Sequence, residues 1–582
     1  MLIFTTLIAA SIVNVDVRIE QILPENAIAV LSIDNVSQLV QHLEDLGICE
    51  GVCEIAQTAM SGNGEPCTFT QMCTELQTTL ELDGDIGIPN GHAGMGLYPV
   101  VDFEVGSVGL GAFMICEVRD SNFGEVVSKA VDQYSDILEI ELETVDISGR
   151  DVWMVQCDLT ALSKEFPMNI ELSSLSQLYI AHTDGYLLVG TEPEAFASVF
   201  SALDGDAVDD SLATNDDYIE LMSRCGSEGD LHGVLLLTNL ADTFIQMDTS
   251  GMGMMILPTL KAAIGDIDGF AEKVSLSPSE GVLLKGKYSM LMGDGRNGVM
   301  ALIGSDSPSS DIPSFVGEDT ISYSQARVNY DKIIPWVNQL IAASPMLAMQ
   351  TNPQMLEEME AGIGVFTSTL GSETHVISTG SLPYSAESYG HLVAIECINE
   401  EQLSNVLGMM LPSMGATPAD FLGNQIFTMD LGSSMMVSMG MNLSFSIAVG
   451  GGYALVGSSN SVENALRTIA NPKGSNSNHG SNASADLLDS NTVSGWGYGD
   501  PLKSLEIQTA RAQETNDAMF ARMEEFDPEM AEEMRADATK GATLQNAIVK
   551  SMSLFLGPMS WNMSADENGF TAEFIMVKPN QN

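Results

Sequence analysis

The feature that most constrains this chain is an internal repeat. Ala181-His-Thr-Asp-Gly185-Tyr186-Leu-Leu188-Val189-Gly190 is matched without a gap by Ala448-Val-Gly-Gly-Gly452-Tyr453-Ala-Leu455-Val456-Gly457, with six of the ten positions identical. Each copy reads as a strand, a two-residue turn, a returning strand that ends in Gly, and then a helix-like run. Asp184-Gly185 and Gly451-Gly452 are residue pairs that tolerate the positive φ angles a tight hairpin demands. Three more pieces recur in the same order. Phe113–Val118 leads to a helix predicted over Ser121–Val131, as Val393–Ile398 leads to one over Glu400–Leu407. Asp151–Val155 corresponds to Gln425–Met429, and the hairpin within Lys273–Met290 corresponds to that within Asn562–Val577. Four matched elements in one order point to tandem duplication, the pattern to seek before any motif.

A smaller theme occurs four times: a strand, an Asn or Asp cap, then an amphipathic helix. It is read in Ile28–Leu43, Val234–Ile245, Ile321–Leu340 and Val493–Leu505, the last around Asp500-Pro501. Asp or Asn accepts the first free amides of a helix, and Pro is tolerated at its first position. Strands alternate with helices, but hairpins joined by Gly turns dominate. The expected fold class is therefore α+β, as two homologous tandem domains, each a mainly antiparallel sheet with helices packed on one face.

The expected boundaries follow from composition. Residues 1–15 form a signal peptide or an apolar N-terminal segment, and 16–303 the first domain, with a Cys-rich insertion at 47–75. Residues 304–319, rich in Pro, Ser and Asp, read as a linker. The second domain covers 320–582, with a low-complexity loop at 471–486. The opening MLIFTTLIAAS has the length of a signal-peptide core followed by small residues, which predicts an exported protein, periplasmic or extracellular. No Lys or Arg precedes that run, and the competing reading is a buried first strand. Beyond it no stretch reaches the length of an apolar membrane span.

Cys49, Cys53, Cys67 and Cys73 crowd into one polar segment with spacing C-x3-C-x13-C-x5-C. In an exported chain two local disulfides are the favoured reading, with free thiols or a metal site as alternatives, since structural zinc prefers tighter knuckles. Cys116, Cys157, Cys225 and Cys397 lie in or beside apolar runs and read as core.

The net charge is −57, from 22 Lys and Arg against 79 Asp and Glu. Such a field repels phosphate backbones and excludes a nucleic-acid partner bound through a basic surface. No H-E-x-x-H, G-x-S-x-G, P-loop or EF-hand pattern occurs, and the seven histidines are scattered. No catalytic residue, cofactor or metal site is therefore assigned. Glu139, Glu141 and Glu143 read as the wet face of a strand. Asp204, Asp206, Asp209 and Asp210 are turn residues that could gather calcium, though turn composition explains them equally well. The chain has 35 methionines, with clusters at Met252, Met254, Met255 and at Met435, Met436, Met439, Met441. Core filling is the leading reading there, over an apolar groove or a copper(I) site.

The opening from Arg18 to Ser37, with its Leu-Pro-Glu-Asn stretch, a strand and then Asp34, resembles a group of uncharacterised exported bacterial proteins in or near domain-of-unknown-function family 3352. The Gly-Tyr-x-Leu-Val-Gly hairpin and the duplicated layout share that likeness. The resemblance implies duplicated α+β domains and brings no activity or catalytic residue. The combined expectation is a non-enzymatic binding or structural protein of the cell envelope or exterior, with an apolar ligand or a protein as partner. Its default site is a concave apolar surface between the copies. The alternative is a hydrolase whose active-site residues are dispersed across loops.

Overall fold

The computed structural model describes residues 17–46, 48, 91–102, 107–118, 142–156, 177–206, 208, 210–226, 229–248, 251–276, 281–309, 311–385, 388–430, 444–472, 493–526, 528–553 and 555–579. The strands of the first half are β1 (Ala29–Ile33), β2 (Ala93–Asp102), β3 (Ser107–Glu117), β4 (Leu142–Ile147), β5 (Arg150–Gln156), β6 (Gln177–Thr183), β7 (Tyr186–Gly190), β8 (Leu231–Leu236), β9 (Gly269–Leu276) and β10 (Val282–Leu291). Those of the second half are β11 (Thr320–Arg327), β12 (Leu370–Gly380), β13 (Tyr389–Cys397), β14 (Thr417–Phe421), β15 (Asn424–Asp430), β16 (Ser444–Gly450), β17 (Tyr453–Gly457), β18 (Gly495–Gly499), β19 (Met559–Asp566) and β20 (Gly569–Val577).

Among the described residues twenty strands join one sheet, and every pairing between them is antiparallel. From one edge the first half runs β4-β5-β6-β7-β3-β2-β1-β8-β9-β10. From the other edge the second half runs β14-β15-β16-β17-β13-β12-β11-β18-β19-β20, the same order ten strands later. The halves meet where β10 pairs with β20, from Leu291 opposite Gly569 to Val282 opposite Val577. Across that seam Lys287 Nζ meets Glu573 Oε1 at 2.5 Å, and Arg224 pairs with Asp566.

The register repeats as well as the order. Gly190 lies opposite Phe113 on β3 and Tyr179 on β6, and Gly457 lies opposite Leu392 on β13 and Ser446 on β16. Val152 stands two positions into the run that aligns with Gln425–Met429, and its counterpart Ile426 is buried like it. Both hairpin turns adopt the expected geometry, with φ of 50° and 82° at Asp184 and Gly185 and of 63° and 84° at Gly451 and Gly452. The outer edge strand β14 carries Pro418, which cannot donate to a further strand and so blunts that edge.

The described residues form thirteen α-helices. They are α1 (Ile19–Ile22), α2 (Val36–Asp45), α3 (Pro193–Leu203), α4 (Asp216–Cys225), α5 (Leu237–Met247), α6 (Met252–Ile264), α7 (Ile333–Ala343), α8 (Pro345–Gln350), α9 (Pro353–Thr367), α10 (Glu400–Ser413), α11 (Ser459–Ala470), α12 (Pro501–Phe526) and α13 (Pro528–Met552). The capping theme is realised at α2, where Asn35 Oδ1 accepts the Gln38 amide, and at α12, where Asp500 Oδ1 accepts that of Lys503. At α5 it is not: Asn239 instead donates from Nδ2 to the carbonyl of Ala27, tying the helix to the start of β1. Because β8 and β11 run in the same direction, α5–α6 and α7–α9 emerge at the same end of the sheet, while α2 and the α12–α13 hairpin leave from the opposite end.

One expectation needs correction: helices do not cover one face alone. In the second half α11 packs Val462, Ala465 and Leu466 against Ile426, Ala448 and Leu455. Helix α10 packs Leu403, Leu407 and Leu411 against Phe427, Val449 and Ala454, the alternate residues of the same strands. The cause is legible in Ile447-Ala448-Val449, where successive apolar residues place a side chain that must be buried on each face.

Candidate functional site

The segment leading into β11 occupies the place that α1 holds before β1. In the first half Ile19, Ile22 and Leu23 enter the core. In the second, Ile312, Phe315 and Val316 follow the same spacing; Val316 is buried and the other two pack on the same cluster. What lies beneath differs. A Cβ on Gly94 would lie 2.5 Å from Ile19, and one on Gly96 would lie 2.2 Å from Leu23, so these glycines let the first segment press onto β2. The matching register positions on β12 are His375 and Ile377, which carry side chains where β2 has none.

The helix above differs too. Helix α3 fills its side of the first core with Phe196, Val199 and Phe200, and the Phe196 ring meets Phe113 edge-on at 5.2 Å. At those places the second half has Val462, Ala465, Leu466 and Leu392. With Leu392 and Ala465 among its lining, a cavity of about 490 Å³ lies between residues 314–319, β12, β13 and α11. Its apolar floor is Phe315, Ile377, Leu392 and Ala465, and its polar rim includes Ser314, Asp319, Thr379, Asn464, Arg467, Thr468 and Asn471. Arg467 pairs with Glu463 at 3.1 Å, and its guanidinium lies over the Phe421 ring at 5.1 Å. A pocket with an apolar floor and a few polar groups at its mouth suits a small, largely apolar molecule with one hydrogen-bonding end.

Behind Phe315 lies a buried polar cluster. Tyr323 Oη meets His375 Nδ1 at 3.0 Å and donates to Gln325 Oε1 at 3.1 Å, and Gln325 and His375 are cross-strand partners. Burial holds the His375 imidazole down to about 4 and pushes the Tyr323 phenol far up, so both are neutral at ordinary pH. In the first half His232 is held at about 4 by the same cause.

Among the described residues the nearest approach to a nucleophile and base is Ser378 Oγ with His391 Nδ1 at 3.2 Å, a pair directly opposed on β12 and β13. The His391 ring stands edge-on to Tyr389 at 4.4 Å, and burial and then Arg511 lower its pKa. Among the described residues no carboxylate is bonded to that ring, the third part such a site requires. Cys116 and Cys225 are buried thiols pushed up to about 11, and burial also raises Cys397, so none supplies a thiolate near neutral pH. Among the described residues no group of three or more His, Cys, Asp or Glu could hold a metal ion. Asp204 is held instead by Arg150 at 2.7 Å.

Cys49, Cys53, Cys67 and Cys73 lie outside the described residues, as do Cys157 and the methionines from Met435 to Met441. The other methionine cluster departs from the core reading: Met254 and Met255 are about two-thirds exposed on α6. No motif search could find the groove, because its walls come from segments some 150 residues apart. Its one trace in the sequence is the change from Phe196-x-x-Val199-Phe200 to Val462-x-x-Ala465-Leu466.

No protein family, curated protein or solved structure matches this chain. No helix among the described residues is long and apolar enough to cross a membrane.

Proposed function

We propose that this chain is an exported, non-enzymatic binding protein built by tandem duplication, in which the second unit carries the ligand site and the first serves as its scaffold. The observation that carries the reading is the contrast between the units: Phe113 and Val199 are packed into the core of one, while their counterparts Leu392 and Ala465 floor a 490 Å³ cavity in the other. The repeated strand order and the matching register at Gly190 and Gly457 support the duplication. The apolar opening run and the likeness to exported proteins of family 3352 support export. The ligand class is a small apolar molecule whose polar end meets the rim around Asn464 and Arg467.

Native mass spectrometry of the full chain, expressed with export intact, tests this. The expected result is an excess mass that vanishes on denaturation and is missing from Ala465→Phe, which places a ring on the cavity floor. A bare mass for the wild-type chain overturns the reading, as does an excess mass that Ala465→Phe retains. A hydrolase reading would rest on the Ser378–His391 contact, and labelling of Ser378 by a fluorophosphonate would favour it.

A further inference from the structure

Helices α5 to α9 form a layer at one end of the sheet. Helix α5 touches α6, α6 packs on α7, and α7 touches both α8 and α9. The Trp336 indole donates to the Ala263 carbonyl at 3.0 Å and Thr259 Oγ1 to that of Ala343 at 3.2 Å, so the two halves are stitched together here. The outward surface of this layer is apolar. Met349 is 89% exposed, Met346 70% and Met254 68%, with Met255, Phe244 and Leu260 also exposed. In a chain of net charge −57, helices α6, α7 and α8 together hold one charged residue, Lys261. Carboxylates begin only at the flanks, with exposed Asp242 on α5 and Glu357 and Glu358 beside exposed Met355 on α9.

A helix that is apolar all round is ordinarily covered, and contiguous patches beyond ~300–600 Å² on a soluble protein mark an interaction surface. Charge decides between the occupants. A second copy brings another −57 to the contact, and an anionic membrane is repelled by the same field. A cationic partner is attracted by both the field and the flanking carboxylates. Unbranched methionines with three rotatable bonds adapt to varied apolar side chains. We infer that this layer is a docking surface for a basic amphipathic helix of a partner protein, whose apolar face lies on Met254, Met255, Met346 and Met349 and whose Lys or Arg residues meet Asp242 and Glu357. This is the helix-in-groove mode of recognition, with anchors at i, i+3, i+4 and i+7.

The test is fluorescence anisotropy of the full chain with a labelled 16-residue peptide of Leu and Lys at helical spacing. The peptide is expected to bind, and Met254→Gln/Met349→Gln, which leaves the net charge unchanged, is expected to weaken it about tenfold. Asp242→Asn/Glu357→Gln is expected to weaken it less and to flatten the salt dependence. Absence of binding overturns the proposal. So does equal binding by the Met-to-Gln pair, because the peptide is then held by the diffuse acidic field alone. Equal binding of a Leu/Gln peptide also overturns it, since charge then has no part. Two further results reassign the surface and likewise overturn it: a dimer in sedimentation velocity that the Met-to-Gln pair dissociates, or flotation with phosphatidylcholine vesicles that the pair abolishes. Circular dichroism of each variant separates loss of binding from loss of fold.

Discussion

Replacing His375 by Gln should flatten the acid side of the stability profile. His375 is 1% exposed, and its imidazole is held at about 4 against an ordinary 6.5. The unfolded chain therefore takes up a proton at this site between pH 6.5 and 4 that the folded chain refuses. Stability from this group is fully present above pH 6.5 and is lost as pH falls towards 4. At pH 5 the loss is about 2 kcal/mol, 1.36 kcal/mol per unit over the interval below 6.5. Relief of the repulsion among 79 carboxylates acts in the opposite sense, so the total profile alone decides nothing. The informative quantity is the difference between His375→Gln and wild type, measured at pH 7 and pH 5. Gln can still bond Tyr323 but does not titrate. Urea unfolding read through tryptophan emission suits the site, because Trp496 stands edge-on to Tyr323 at 5.3 Å. The variant should lose about 2 kcal/mol less than wild type between pH 7 and pH 5. A difference below about 0.5 kcal/mol would show that the imidazole charges freely in the folded chain and would refute the reasoning.

The remaining predictions concern packing. Gly457→Ala would place its Cβ 2.1 Å from the His391 carbonyl oxygen on the paired strand, whereas Gly190→Ala would meet the Phe113 ring at 2.6 Å. Both should destabilise, Gly190→Ala by about 1–2 kcal/mol and Gly457→Ala by about 3 or more, because a ring can shift where a paired carbonyl cannot; denaturant midpoints check the order. Phe196→Ala, at a fully buried ring in the first core, should cost about 3–5 kcal/mol by the same assay. Asn399 Oδ1 accepts the Gln402 amide at 3.1 Å at the start of α10, and Asn399→Ala should cost about 1 kcal/mol. A cost below a few tenths would show that water caps that helix equally well.

Much of the fold was legible because its determinants are local. The Asp184-Gly185 and Gly451-Gly452 turns, the helix beginning at Glu400, and the Asp500-Pro501 start of α12 each depend on a few adjacent residues whose φ preferences and side-chain acceptors act over one turn. Composition was a poorer guide where packing overrode it. Residues 304–319 have the makeup of a linker, yet Ile312, Phe315 and Val316 lie against the second core. The spacing they share with Ile19, Ile22 and Leu23 was available as a signal. The methionines of α6 read as core because apolar residues ordinarily are, and only tertiary placement at the end of the sheet left them exposed.

Sequence by itself determined the sequence repeat, the hairpin turns, the capped starts of α2, α10 and α12 and the sign of the net charge, since each is written in neighbouring residues or in sums over them. Tertiary structure decided that the halves join edge to edge through β10 and β20, and that helices cover both faces of the second half. It also decided that a cavity opens over Leu392 and Ala465 where Phe113 and Val199 are packed into the first core. These follow from which side chain meets which across hundreds of residues of chain. That pairing is set by the close packing of the whole sheet, not by any local preference.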